Sequence, residues 1–275
     1  MEQSHTVQPG QIHNVTPQLS VLVADDNPVN RKLTVRYLQR LGYAADEAAD
    51  GREAVEAVKS TRYAAVLMDC EMPEMDGYQA TSEIRRMEGD GRHTLIVAIT
   101  AHDADSDRAK CLTAGMDEFM TKPVRPESLA RMLEGQAAAK QPAIATTREA
   151  GSPDDTGPVL DPEMIGELRE EGQDLLDDLI ETFDRKTPAR IAELANQFAG
   201  GDLKAASLSA HSLKGTAGNL GAKRMWRICA ALDTMARDGA VEQAASLIGD
   251  LRAEYRLVQD ALHAEHSAPT APAEA

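Results

Sequence analysis

The sequence predicts an α/β unit built on a doubly wound five-stranded parallel sheet, tethered to a smaller all-α helical bundle. Three observations predict it. Up to residue 135, short apolar runs alternate with helix-length periodic segments, the pattern of βαβ units. Residues 136–158, QAAAKQPAIATTREAGSPDDTGP, contain 15 Ala, Pro, Gly, Ser or Thr among 23, too little apolar surface to offset the entropy of ordering. Beyond them the apolar spacing is helical throughout.

Each element has its own signal. Val21-Leu22-Val23-Ala24 reads as a buried first strand, and helical spacing follows through Val29, Leu33, Tyr37 and Leu41, closed by Gly42. A weak run near Tyr43–Ala45 is the second strand. Ala64–Met68, Leu95–Ile99 and a short Glu118–Met120 complete the five. In the second unit Asp161-Pro162 reads as an N-cap with proline at the first helical position. Gly200-Gly201-Asp202 ends one helix and caps the next, and Gly221 and Asp238-Gly239 mark two further joints. Four or five helices in about 105 residues make an antiparallel bundle. The expected organisation is a disordered tail over 1–18, the α/β unit over 19–135, a flexible linker over 136–158, the bundle over 159–265 and a disordered tail over 266–275. As a coil the linker would span about 25–30 Å, enough to let the two units reorient.

Composition narrows the chemistry. The 275 residues carry 29 Lys+Arg against 45 Asp+Glu, a net charge of −16. A chain that acidic lacks the positive field that gathers phosphate backbones, which argues against nucleic acid. The three cysteines, Cys70, Cys111 and Cys229, include no CxxC pair, so they read as buried thiols in a reducing, cytoplasmic compartment. No apolar run approaches the ~18 residues of a membrane span, and the N-terminus shows neither the basic nor the apolar region of a signal peptide.

In an open parallel sheet, ligands bind outside the carboxyl ends of the strands. Here the expected strand ends carry Asp25-Asp26, Asp69, Thr100 and, just after the last, Lys122-Pro123. Three carboxylates at one crevice repel one another and call for a hard divalent cation. Magnesium suits them because it keeps coordination sites for water and phosphate oxygens. A lysine point charge and a small hydroxyl are what a phosphoryl group's remaining oxygens need.

With those residues in place, residues 19–134, from LVADDNPVN to MTKPV, resemble the receiver domain of two-component response regulators, a flavodoxin-like fold. The resemblance implies Asp69 as phosphoacceptor. It implies Mg²⁺ held by Asp25, Asp26, Asp69 and the main-chain carbonyl of Glu71. Thr100 and Lys122 would grip the phosphoryl group, and Phe119 would be the aromatic that swings inward when Thr100 moves. It also makes Lys122-Pro123 a candidate cis peptide. The side chains of Glu71 and His102, two residues beyond Asp69 and Thr100, would tune the lifetime of the aspartyl phosphate; a role as exposed loop residues competes. Cys70 points to the opposite face of the strand from Asp69 and reads as packing.

In the bundle one histidine stands out, in AHSLKGTAGNLGA. At about 100° per residue, Lys214, Gly215 and Gly218 share the face of His211. Two glycines inside a helix break a local rule at a cost of roughly 0.5–1 kcal/mol each. A flat surface that another domain can approach closely would offset it. Lys214 is placed to hold phosphoryl oxygens. From Leu203 to Leu232 there are five basic residues and no acidic one, whereas Glu163–Asp184 carries nine carboxylates that read as solvated faces. Residues 159–265 resemble a histidine-containing phosphotransfer (Hpt) domain through HSLKG, the preceding Gly-Asp and the following Gly221-Ala222. That resemblance implies His211 as phosphohistidine and Lys214 as its phosphate-stabilising neighbour. Many members carry Glu or Gln after the leucine at 232; here it is the shorter Asp233, to which no role is assigned.

The expected function is therefore a phosphorelay protein. Its partners would be a sensor histidine kinase and a downstream response regulator, with no nucleic acid and no direct membrane insertion. No ATP-binding domain is encoded. Competing readings are a phosphate sink or autophosphatase, a non-catalytic module competing for a kinase surface, and the C-terminal piece of a hybrid sensor kinase. A haloacid-dehalogenase-type phosphatase would need a second aspartate two residues after Asp69, where Glu71 stands.

Overall fold

The computed structural model describes residues 19–100, 105–135 and 157–267. The expected N-terminal tail, His102, most of the tether and nearly all of the C-terminal tail lie outside them.

The first unit alternates strands and helices: β1 (Ser20–Ala24), α1 (Pro28–Arg40), β2 (Ala44–Ala48), α2 (Gly51–Ser60), β3 (Ala65–Asp69), α3 (Gly77–Glu88), β4 (Leu95–Thr100), α4 (Asp105–Ala114), β5 (Glu118–Thr121) and α5 (Pro126–Gly135). All pairings are parallel, in the order β2-β1-β3-β4-β5. Strand residues alternate between two cores, as a period of two requires. Val21, Val23, Leu67, Val97 and Ile99 join α1 and α5 on one face. Leu22, Val66, Met68, Ile96 and Ala98 join α2, α3 and α4 on the other. Cys70 lies in that second core with its Sγ 3.9 Å from Cys111 Sγ.

The second strand is shifted from the expected Tyr43–Ala45 to Ala44–Ala48. It is the edge strand, paired on one side only, so its AADEA sequence needs no apolar run to be held by the β1 ladder.

The sheet order reverses between β1 and β3, so a crevice opens at their carboxyl ends. The loop after β3 is pinned by close approach. Gly77 donates from its N–H to the Cys70 carbonyl at 3.2 Å, and a Cβ there would sit 2.1 Å from the Asp69 carbonyl oxygen. Gly77→Ala is therefore expected to cost about 1–3 kcal/mol through forced backbone displacement. Urea denaturation checks this; an unchanged midpoint would show that the loop yields freely.

The second unit is helical throughout: α6 (Pro162–Glu171), α7 (Gln173–Gly200), α8 (Leu203–Asn219), α9 (Lys223–Asp238) and α10 (Ala244–Ser267). Asp161 caps α6 ahead of Pro162. Gly201 and Gly239 end α7 and α9 in the left-handed conformation, and Asp202 caps α8. Helices α7 to α10 pack in a ring, each against its two neighbours. α10 runs to Ser267, two residues past the expected boundary, with His266 Nδ1 2.7 Å from Asp177.

The two units are docked. Lys32, Arg36 and Arg40 recur every fourth residue along α1, on one face of the helix. Lys32 meets Asp178 at 3.1 Å, Arg36 meets Asp174 at 3.1 Å, and Arg40 meets Glu171. Rising numbers on α1 pair with falling numbers on the second unit, so the chains run antiparallel here. Arg36 also donates to the Glu171 carbonyl at 2.8 Å, capping the C-terminus of α6. Arg125 reaches Glu167. The carboxylates of Glu163–Asp184, expected to be solvated faces, include four that hold this contact. Their partners lie well over a hundred residues away for α1, outside any local pattern. The exposed pairs among these contribute only about 0–1 kcal/mol each, whereas Glu171 is buried. The larger share comes from one apolar cluster, which runs from the α1 side of the sheet into the bundle.

Candidate functional site

Asp25 follows β1, Asp69 ends β3, and Lys122 follows β5 on a cis Lys122-Pro123 bond. Parallel pairing in register brings these strand ends level. One carboxylate oxygen from each of Asp25, Asp26 and Asp69 lies within 4.8 Å of the others, a set that could hold a metal ion. Lys122 Nζ sits 2.6 Å from Asp69 and 3.0 Å from Asp25. Asn30 Nδ2 donates to both Asp25 oxygens, at 3.2 and 3.1 Å. Thr100 is buried at the end of β4, and its carbonyl accepts from Lys122 N at 2.7 Å. The Glu71 N–H donates to Asp69 Oδ1 at 3.2 Å. Phe119 is partly buried against the second core, with the Arg108 guanidinium 5.3 Å over its ring.

The electrostatics are those of crowded charge. Burial, the largest cause, pushes Asp69 up to about 7; Asp25 and Asp26 add to the shift, while Lys122 and His211 oppose it. Asp26 is raised as well, again chiefly by burial, against the pull of Arg190. Burial works against the charge on Lys122, but Asp25 and Asp69 hold its pKa above the usual lysine range. Three oxygen donors with two carboxyls held above their ordinary range fit a hard divalent cation, whose charge would relieve that repulsion.

His211, on α8, faces the receiver from the bundle side, its Nδ1 3.0 Å from the side chain of Glu71, two residues beyond Asp69. The ring is 2% exposed, and neither nitrogen makes a hydrogen bond. Glu71 Oε2 lies 3.0 Å from Nδ1 as an unaligned charge contact. Around the ring, Asn27 Nδ2 donates to the Ser212 carbonyl at 2.7 Å and to Thr216 Oγ1 at 2.5 Å. Asn219 Nδ2 donates to Asn30 Oδ1 at 2.8 Å. A Cβ on Gly215 would come 3.0 Å from Asn30 Nδ2, so this glycine lets the α/β unit approach. Gly218 has no such role, since it faces Trp226 of its own bundle.

The sequence-predicted residues divide accordingly. Asp25, Asp26, Asp69, Thr100, Lys122 and His211 converge on one crevice. Lys214 is buried beside His211, with its Nζ 3.2 Å from Asp233. The basic stretch around His211 is largely answered within the bundle, since Lys223 pairs with Asp161 and Arg224 with Glu254. Among the described residues, two bundle cations that reach across were passed over by sequence reasoning. Arg190 on α7 meets Asp26 at 2.8 Å and also bonds Ser212. Arg237 on α9 forks onto Glu71 at 3.0 and 3.1 Å. For Arg190 the only local signal is Pro188 inside a helix; Arg237 has none. Asn27 caps α1, a role it combines with its contact to α8.

Comparison with known proteins follows the same division. The response regulator receiver domain model matches residues 21–134, and the Hpt domain model matches residues 163–261. The signal transduction histidine-protein kinase BarA of Shigella flexneri is 28% identical over 231 residues, 82% of this chain and 25% of BarA. Hybrid signal transduction histidine kinase B of Dictyostelium discoideum is 41% identical over 119 residues, 40% of this chain and 6% of that protein. The chain spans 3 to 25% of the length of such curated relatives. Among solved structures, the receiver domain of sensor histidine kinase PA1611 from Pseudomonas aeruginosa, with a magnesium ion in its active-site cleft, is 42% identical. It covers 42% of this chain and 95% of its own, with a TM-score of 0.40. The co-crystal of Saccharomyces cerevisiae Ypd1 with the receiver domain of Ssk1 matches at 29% identity and a TM-score of 0.40, over 42% of this chain and 87% of that one.

Proposed function

We propose that this chain, which belongs to the response regulator receiver family over residues 21–134 and to the Hpt family over residues 163–261, is a phosphorelay intermediate. Asp69 accepts a phosphoryl group from the phosphohistidine of a sensor histidine kinase. His211 of the same chain exchanges it with Asp69, and then with an aspartate on a downstream response regulator. One observation carries this reading: a buried imidazole, with no hydrogen bond at either nitrogen among the described residues, lies 3.0 Å from the side chain of Glu71, two residues beyond Asp69. An unsatisfied buried polar group costs about 1–3 kcal/mol, and a nucleophile held for an incoming group is a reason to bear it.

The residues take these parts. Asp69 supplies the accepting oxygen. Lys122 and Thr100 hold the phosphoryl oxygens at the receiver, and Lys214 holds them at the bundle. Phe119 is the aromatic whose position follows Thr100. Mg²⁺ would be held by Asp25, Asp26, Asp69 and the Glu71 carbonyl, where it neutralises phosphoryl charge. The domains are the receiver over 19–135 and the phosphotransfer bundle from 159 to about 265, and His211 leaves its own receiver to meet another. A cytoplasmic setting is supported by three free buried cysteines. A second reading, that these domains work as part of a larger sensor kinase, is favoured by the alignment of 82% of the chain with a quarter of BarA.

The test is to load the full chain with a labelled small acyl phosphate and follow the chemical form of the label. Aspartyl phosphate is base-labile, whereas phosphohistidine is acid-labile and base-stable. Label is expected first in the base-labile form and then in the acid-labile form. Failure of any acid-labile label to form would remove the relay reading.

A further inference from the structure

Resting on the relay reading, we propose that Glu71 is a positioning residue for His211: the receiver supplies the carboxylate that the phosphotransfer domain's own Asp233 is too short to provide. The distances separate the two carboxylates. Asp233 Oδ2 lies 4.0 Å from His211 Nδ1. Asp233 is already engaged, accepting from Ser207 at 2.7 Å, from Lys214 at 3.2 Å and from Arg237 at 3.0 Å. Glu71 Oε2 comes from the other domain and lies 3.0 Å from the same nitrogen. Arg237 forks between the two domains, holding both Glu71 oxygens and both Asp233 oxygens. This fixes where the Glu71 carboxylate stands.

A carboxylate 3.0 Å from Nδ1 favours, through its charge and without an aligned hydrogen bond, the tautomer with its proton there, leaving the Nε2 lone pair for the phosphoryl group. In the transfer, that lone pair forms the N–P bond as the P–O bond to Asp69 breaks, and the pair from the broken bond returns to the Asp69 carboxylate. The proton stays on Nδ1, so the ring gains a positive charge that faces Glu71. The imidazole is therefore oriented and charge-compensated only while docked on a receiver carrying a carboxylate two residues after its phosphoacceptor. That requirement also makes position 71 a determinant of which receivers pair with this bundle.

Glu71→Gln keeps the size and an oxygen for Arg237 while removing the charge. In the full chain, we expect this variant to slow the passage of label from Asp69 to His211 on the order of tenfold. Asp69 loading and hydrolysis are measured separately in a His211→Ala background. With ¹⁵N-histidine labelling, the His211 ring signals are expected to shift toward protonation at Nε2. Unchanged ring signals overturn the inference whatever the transfer rate, because slowed transfer alone would assign Glu71 to docking through Arg237. A wild-type chain that never forms phosphohistidine would sink the relay reading, and the ring signals would still decide the role of Glu71.

Discussion

A chain carrying His211→Ala is expected to load Asp69 normally and pass nothing on. The transfer to a downstream receiver should fall on the order of a thousandfold or more, as removal of an attacking nucleophile does. The companion variant Asp69→Ala should take no label from an acyl phosphate. Mixing the two tests the docked geometry, because only transfer between chains can then join the surviving Asp69 to the surviving His211. The wild-type imidazole is 2% exposed and held against its own receiver. A tethered partner acts at an effective concentration of about 1 mM, so at about 10 μM chain the intact protein should outpace the mixture on the order of a hundredfold. Equal rates would show that the docked arrangement is not the route of transfer.

The second large effect is on stability, and its sign follows from Asp69. Burial raises this carboxyl from 3.8 to about 7 in the folded chain, while the unfolded value stays near about 3.9. Between those values the folded state binds the extra proton. The stability it contributes is therefore present at low pH and lost as pH rises through about 7; the raised Asp26 acts in the same direction. The metal-free chain should lose thermal stability from pH 4 to pH 7. Mg²⁺ at 100 times its dissociation constant should return about 2.7 kcal/mol at pH 8. At pH 5, where the cation competes with a bound proton, the gain should be smaller. Melting temperatures with and without chelator decide this, and equal Mg²⁺ shifts at both pH values would refute the assignment of charge crowding to this crevice.

The residues proposed to load phosphate and hold a metal were legible because they sit at places that local rules define. Asp25, Asp69 and Thr100 stand where apolar strand runs end, and Lys122 stands just beyond the last. A parallel sheet brings such ends together whatever the rest of the chain does. His211 was legible through Gly215 and Lys214 on its own helix face. The tightness of these local constraints also made β2 the poorest reading, since an edge strand needs no apolar run to be held.

By itself, then, the sequence determined two domains, the acidic crevice of one and the histidine of the other. It determined neither that the two face each other nor what completes them. Asn27 meets Thr216 across 189 positions, Arg190 meets Asp26 across 164, and Arg237 meets Glu71 across 166. A contact of that range leaves no period in the sequence, and the charges that make it look like solvated surface until their partners arrive. Docking also reversed the meaning of single residues. The acidic run before Asp184 became the grip on α1, and the basic stretch around His211 spent most of its charge within its own bundle. Glu71, a loop residue in the sequence, became the carboxylate nearest the histidine. Local spacing specifies where a reactive group stands on its own element; only packing decides what stands opposite it.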